Sequence, residues 1–155
     1  MKKLLIVALV LLFASQAFAA WTPASGVVAI NSGPFMYRVV ITFTCDGSAS
    51  GTLNLNTLMT AQEFGKIDGG FLMSVSVNPG TSSVAPDGAY DVNIYDSNGT
   101  QTIDKTTTSE ATKHTYATNE TIGTAQQILG SVPFDIGDLG TSGDQVTITF
   151  NVYKP

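Results

Sequence analysis

The sequence predicts an all-β protein: a single antiparallel β-sandwich of about seven to eight strands, preceded by a signal-peptide helix. Three observations predict it. Apolar residues recur at every second position in several runs rich in β-branched and aromatic residues. Clusters of Gly, Pro, Asn and Asp separate those runs at sandwich-like spacing. Convincing helical periodicity is nearly absent. A closed β-barrel is the alternative way to close such a set of strands.

Taken in order, Val27-Val28-Ala29-Ile30 forms a first short strand, ended by Asn31-Ser32-Gly33-Pro34. Phe35 to Cys45 is the clearest strand. Tyr37, Val39, Ile41, Phe43 and Cys45 share one face and Arg38, Val40, Thr42 and Thr44 the other. Asp46-Gly47-Ser48 turns the chain, and Thr52-Leu53-Asn54-Leu55 alternates again. Thr57 to Lys66 differs, with one or two helical turns through Leu58, Met59, Ala61, Gln62 and Phe64 stopped by Gly65. Phe71 to Val77 is a strand with Phe71, Met73, Val75 and Val77 on one side. Asn78-Pro79-Gly80 ends it, and a loop follows to Gly88.

Ala89 to Tyr95 is the next strand, with Tyr90, Val92 and Ile94 opposite Asp91, Asn93 and Tyr95. Asp96-Ser97-Asn98-Gly99 suits a type I′ hairpin, whose left-handed angles favour Asn-Gly. Gln101 to Asp104 is the return strand. Lys105 to Thr121 is Thr-rich and aperiodic, and reads as a long exposed loop. Ala125 to Val132 is open between strand and short helix. Phe134 to Gly143 carries Gly and Asp and reads mostly as turns. Val146, Ile148, Phe150 and Val152 mark the last strand.

The N-terminus has the three parts of an export signal. Met1-Lys2-Lys3 is positive, Leu4 to Phe13 is wholly apolar, and Ala17-Phe18-Ala19 offers the small-x-small exit. The apolar run is well short of the roughly 20 residues that span a bilayer. Residues 1–19 are therefore expected to be a cleaved signal peptide, and residues 20–155 a β-sandwich domain. No repeat or linker divides that domain.

The chain carries 7 Lys plus Arg and 12 Asp plus Glu, for a net charge of −5. Cleavage would remove Lys2 and Lys3, leaving five cations against twelve carboxylates, or −7. That balance argues against nucleic acid, which needs a basic face to displace counterions. It also argues against docking on an anionic membrane. Cys45 is the only cysteine, so no internal disulfide supports the domain. At the end of an apolar run it reads as a buried small hydrophobe, with an intermolecular disulfide or a reactive thiol as the alternative.

Chemistry-bearing constellations are scarce, and no catalytic, cofactor-binding or metal-binding residue is assigned. His114 is the only histidine and has no Cys or second His nearby, which disfavours zinc. No Gly-x-Ser-x-Gly supplies a nucleophile elbow. Asp91, Asp96, Asp135 and Asp138 are the carboxylates to weigh for a glycosidase pair, which needs two facing carboxyl groups. Asp in turns more commonly caps backbone N–H groups. The Asp91–Gly99 segment offers hard oxygens for a calcium ion shared with Asp135 or Asp138, but lacks EF-hand order. Asn98-Gly99-Thr100 and Asn119-Glu120-Thr121 match the glycosylation sequon, which has no consequence in a bacterial host. No Gly-rich phosphate loop is present.

Two stretches carry a resemblance. Val39 to Gly51 is a strand followed by Asp46-Gly47-Ser48, and Pro86 to Gly99 contains Tyr90-Asp91-Val92-Asn93-Ile94-Tyr95-Asp96-Ser97-Asn98-Gly99. With the strand and Pro-Gly turn between them, the arrangement is similar to small β-rich structural proteins of tailed bacteriophages. The resemblance implies a virion-associated or decoration-type role without enzymatic activity. The export signal sets this chain apart from such proteins, which assemble in the cytoplasm.

The expected function is that of a non-enzymatic structural or surface-binding protein, exported to the periplasm, cell surface or medium, or carried on a virion if phage-encoded. A protein or a surface glycan is the expected partner, homo-oligomerisation is compatible with the pattern, and the Lys105–Thr121 loop is the expected contact region. Two alternatives are a polymerising, pilus-like subunit using strand addition and an exported glycan-active hydrolase.

Overall fold

In a computed structural model of the chain, the described residues are 21–23, 27–45, 52–80, 90–107, 114–117, 125–137 and 142–155. The expected signal peptide and the Asp46-Gly47-Ser48 turn lie outside them. Eleven short strands are described: β1 (Trp21–Pro23), β2 (Ala29–Gly33), β3 (Met36–Cys45), β4 (Leu53–Asn54), β5 (Phe71–Pro79), β6 (Tyr90–Tyr95), β7 (Gln101–Thr107), β8 (His114–Ala117), β9 (Gln126–Gln127), β10 (Pro133–Gly137) and β11 (Gln145–Tyr153). The all-β class is as the alternation predicts.

The strands form two antiparallel sheets. The larger runs β1-β3-β11-β5-β8, with β2 also on β3 and β9 also on β5; the smaller runs β4-β10-β6-β7. One sheet is curled into a half-barrel, so the fold has features of both the sandwich and the barrel. The centre of the larger sheet is β11, paired along its length with β3 on one side and β5 on the other. Its burial alternates without a break from Val146 to Val152, as a strand with one solvated face requires.

A three-ring contact ties the sheets together. Phe134 of the smaller sheet meets Phe43 at 5.7 Å and Phe150 at 5.4 Å, both edge-to-face. All three rings are fully buried, and such pairs add about 0.5–1.5 kcal/mol beyond their burial. Val92, Ile94 and Ile136 fill the smaller sheet's inner face around them, and Val39, Ile41, Val77 and Ile148 the larger sheet's.

The helical expectation for residues 57–66 becomes two single turns, α1 (Leu55–Leu58) and α2 (Ala61–Phe64). Thr60 caps α2 by accepting from the Glu63 N–H at 3.2 Å, and Gly65 stands at its C-cap. This is the Thr-x-x-Glu pattern of a helix start. Gly70, just before β5, has no room for a side chain. A Cβ there would stand 2.9 Å from the carbonyl oxygens of both Ile67 and Tyr153.

Several expectations are corrected. Residues 133–137 form β10, not turns, because Phe134 and Ile136 keep period two while Asp135 faces outward. The supposed loop from Lys105 to Thr121 contains the end of β7 and all of β8. Its threonines are β-branched and suit strands even where no apolar alternation marks them. His114 therefore stands on a strand, opposite Val77. Residues 125–132 contribute the two-residue β9. In β5, Leu72 is buried and Met73 exposed, the reverse of simple alternation. A bulge causes this: Asn151 pairs with Ser74 and Val152 with Leu72, so Met73 is skipped.

Candidate functional site

The outer face of the smaller sheet carries a connected polar ladder. Strand β6 pairs with β10 and β7, which brings Asn93 opposite both Asp135 and Asp104. Gln101 Nε2 donates to Asn93 Oδ1 at 2.9 Å, and Asn93 Nδ2 donates to Asp135 Oδ1 at 2.8 Å. Tyr95 Oη donates to the other carboxylate oxygen of Asp135 at 2.6 Å. Each donor fixes the next group's orientation, so the Asn93 amide has one satisfied direction. The inward neighbours Val92, Ile94, Phe134 and Ile136 are fully buried and hold these outward side chains on a rigid base.

A cleft of ≈ 220 Å³ lies at the β6–β7 hairpin, lined by Asp96, Ser97, Asn98, Thr102, Gln126, Gln127 and Leu129, of which Gln126 and Gln127 belong to β9 on the larger sheet. The hairpin is not the expected type I′ turn. Phe35 is the only non-glycine among the described residues with positive φ, so Asn98 has the negative φ that a type I′ turn excludes, and Gly99 takes φ 81°. Gly99 N–H donates to Asp96 O at 3.0 Å. The Asp96 side chain accepts from the N–H groups of Asn98 (2.9 Å) and Thr100 (2.8 Å) through Oδ1. A turn followed by a left-handed glycine is the usual alternative to type I′. The cleft's floor is Gln126, which is buried. Its Oε1 accepts from Thr102 Oγ1 at 2.7 Å, and its Nε2 donates to the Tyr95 carbonyl at 3.0 Å.

The carboxylates singled out from sequence thus separate. Asp96 caps its own turn. Asp135, expected in a turn, is a strand residue engaged at both oxygens. Asp91 stands opposite Gly137 in the register; Asp138 lies outside the described residues. His114 belongs to the other sheet. Among the described residues, no group of three or more His, Cys, Asp or Glu is assembled in a way that holds a metal ion. Cys45 is buried at the end of β3, the small-hydrophobe placement.

The remaining carboxylate with a distinct environment is Glu63. Lys66 Nζ donates to its Oε1 at 2.5 Å, and the Ala29 N–H donates to Oε2 at 2.9 Å. These bonds, Lys66 first, hold its carboxyl below the usual glutamate range. It ties α2 to β2 and stands apart from the ladder.

Sequence alternation alone put Asp91, Asn93 and Tyr95 on one face, so part of the ladder was legible. Gln101, Thr102 and Gln126 were not singled out, and no local signal marks them. Compared with protein families, curated proteins and solved structures, the chain matches none.

Proposed function

We propose that this chain is an exported, non-enzymatic structural or surface-binding protein whose outer small-sheet face contacts a surface glycan or a protein. The observation that carries the reading is the Gln101–Asn93–Asp135–Tyr95 ladder. Its amide, carboxylate and phenol groups are held in fixed directions by one another on the sheet. Such preset donors and acceptors suit a hydroxyl-rich ligand, which they orient without reorganisation cost. The export part of the proposal rests on residues 1–19.

The Tyr90–Gly99 block that resembles phage structural proteins forms the strand and turn bordering this face. The resemblance of that block, and not its place in the sheet, is what supports a phage-derived origin for the domain, with a virion role if its gene lies among capsid and tail genes.

The test is glycan-array binding by the purified exported protein, alongside Asn93→Ala and Gln101→Ala variants with unchanged circular dichroism. Retention of a defined glycan set, lost in both variants, is expected. Binding that both variants retain in full would remove this face from the reading. Turnover of glycoside substrates by the wild type, abolished in Asp135→Asn, would replace the reading with hydrolysis.

A further inference from the structure

The cleft at the β6–β7 hairpin has two walls of different origin. One is the hairpin, from the smaller sheet; the other is β9 and the residues after it, from the larger sheet. Each wall is held by its own hydrogen bonds. In the hairpin, Asp96 N–H donates to Thr100 O at 2.8 Å, and Asp96 Oδ1 takes the Asn98 and Thr100 N–H groups. In the other wall, Ile128 N–H donates to Gly70 O at 2.8 Å, and Ile128 O accepts from Gly69 N–H at 3.0 Å. Gly130 N–H donates to Asp68 Oδ1 at 2.8 Å. Gln126 joins the two walls through Thr102 Oγ1 and the Tyr95 carbonyl. The cleft is therefore largely preformed, as small-molecule sites are.

Leu129 stands between the two pinned residues Ile128 and Gly130. Ile128 is fully buried, whereas Leu129 is 56% exposed and lines the cleft. The fold thus holds an aliphatic side chain out beside polar groups.

The polar lining has bonding capacity to spare. Both turn N–H groups go to Asp96 Oδ1, and Asp96 Oδ2 accepts from no described residue. Thr102 Oγ1 has one proton for two acceptors, Gln126 Oε1 at 2.7 Å and Ile94 O at 3.1 Å, and accepts from no described donor. The Gln127 side chain is exposed and makes no hydrogen bond to a described residue. The lining has one carboxylate and no cation, which disfavours an anionic ligand. Free acceptors beside an amide and an aliphatic wall suit a sugar ring, whose hydroxyls donate and whose C–H face is apolar. The volume of ≈ 220 Å³ lies below the about 300 Å³ at which pockets for drug-sized ligands begin, a size for one ring rather than a chain.

We infer that this cleft binds one neutral sugar residue. Asp96 Oδ2 and Thr102 Oγ1 accept from its hydroxyls, Gln127 donates to a ring or hydroxyl oxygen, and Leu129 packs on the C–H face. The ligand class comes from the cleft's own lining, and no ladder residue lines it. The inference therefore goes beyond the ladder reading, and either can fail while the other stands.

The test is a titration of the isotope-labelled protein, followed by amide NMR shifts, with methyl glycosides of glucose, galactose, mannose and N-acetylglucosamine to about 50 mM. At least one should give saturable shifts at Asn98, Thr102, Gln127 and Leu129, with a Kd on the order of 1 mM, as ordinary ligand efficiency over a dozen heavy atoms gives. Asp96→Asn keeps the turn acceptor and should weaken binding about tenfold. Leu129→Ser should weaken it about fivefold, and Val40→Thr, on β3 and away from the cleft, should leave it unchanged. Methyl glucuronide, with a carboxylate on the same ring, should bind at least about tenfold more weakly than the best neutral glycoside. No saturable shift with any of the four glycosides would overturn the inference. So would binding that Asp96→Asn and Leu129→Ser leave intact. Shifts confined to Asn93, Gln101 and Asp135 would also overturn it while upholding the ladder. Saturation of the cleft amides by butylamine in place of the glycosides would overturn it in favour of a cationic partner.

Discussion

Tyr95 on β6 donates a 2.6 Å hydrogen bond to Asp135 on β10, and the opposite oxygen of that carboxylate takes the Asn93 amide at 2.8 Å. Both partners are half-buried, so the bonds are screened less than on an open surface and more than in a core. Tyr95→Phe should therefore cost about 1 kcal/mol, and Asp135→Ala, which strands two donors, about 1–3 kcal/mol. Urea denaturation of the single and double variants checks this. The coupling between the two sites should be positive, and about 0.5–1.5 kcal/mol.

The Phe43–Phe134–Phe150 contact makes Phe134 the residue on which sheet-to-sheet packing turns. Phe134→Ala should destabilise by about 3–5 kcal/mol through lost burial and the cavity left behind. Phe134→Leu should cost distinctly less. Thermal unfolding followed in the far ultraviolet reads both.

Two backbone positions should be sensitive for different reasons. Gly70→Ala forces a Cβ against two carbonyl oxygens at 2.9 Å and should cost about 1–3 kcal/mol, as overpacking does. Asp96→Ala removes the acceptor for two turn N–H groups and should cost about 1 kcal/mol, comparable to losing a helix cap. Asp96→Asn keeps an acceptor oxygen and should recover most of that. Chemical denaturation distinguishes the three.

The Glu63 carboxyl is held below its ordinary range by Lys66 and the Ala29 N–H. A depressed carboxylate contributes stability that is fully present above the unfolded-state value, about 4.3, and is lost as pH falls through the folded-state value. The wild type should therefore exceed Glu63→Gln in thermal midpoint at pH 6–7 by roughly the same margin throughout. The two should converge as the pH is lowered below about 4. A margin that persists at low pH would assign the effect to something other than the charge.

Much of the fold was legible because two of its core strands, β3 and β11, keep strict alternation over most of their length. Residues 39–45 and 146–152 alternate strictly, and both are central, solvated on one face only. Legibility failed where a tertiary feature overrode the local pattern. The bulge at Met73 exchanged the faces of β5, and nothing in Phe71-Leu72-Met73-Ser74 marks it. Strand β10 is short and carries Pro, Asp and Gly, so its two inward residues were outweighed by turn formers. The Thr-rich β7 and β8 lack an apolar face in the sequence. The ladder was half legible: alternation along β6 put Asn93 and Tyr95 together, but Asp135 joins them only through pairing of strands some forty residues apart.

The account rests on export of a folded binding domain, and the mass of the protein recovered from a bacterial host tests this most directly. The expected result is a chain beginning at Ala20 in the periplasm or medium, carrying a charge of −7 after loss of Lys2 and Lys3. Recovery from the cytoplasm of the full chain beginning at Met1 would contradict export and favour the virion-associated role.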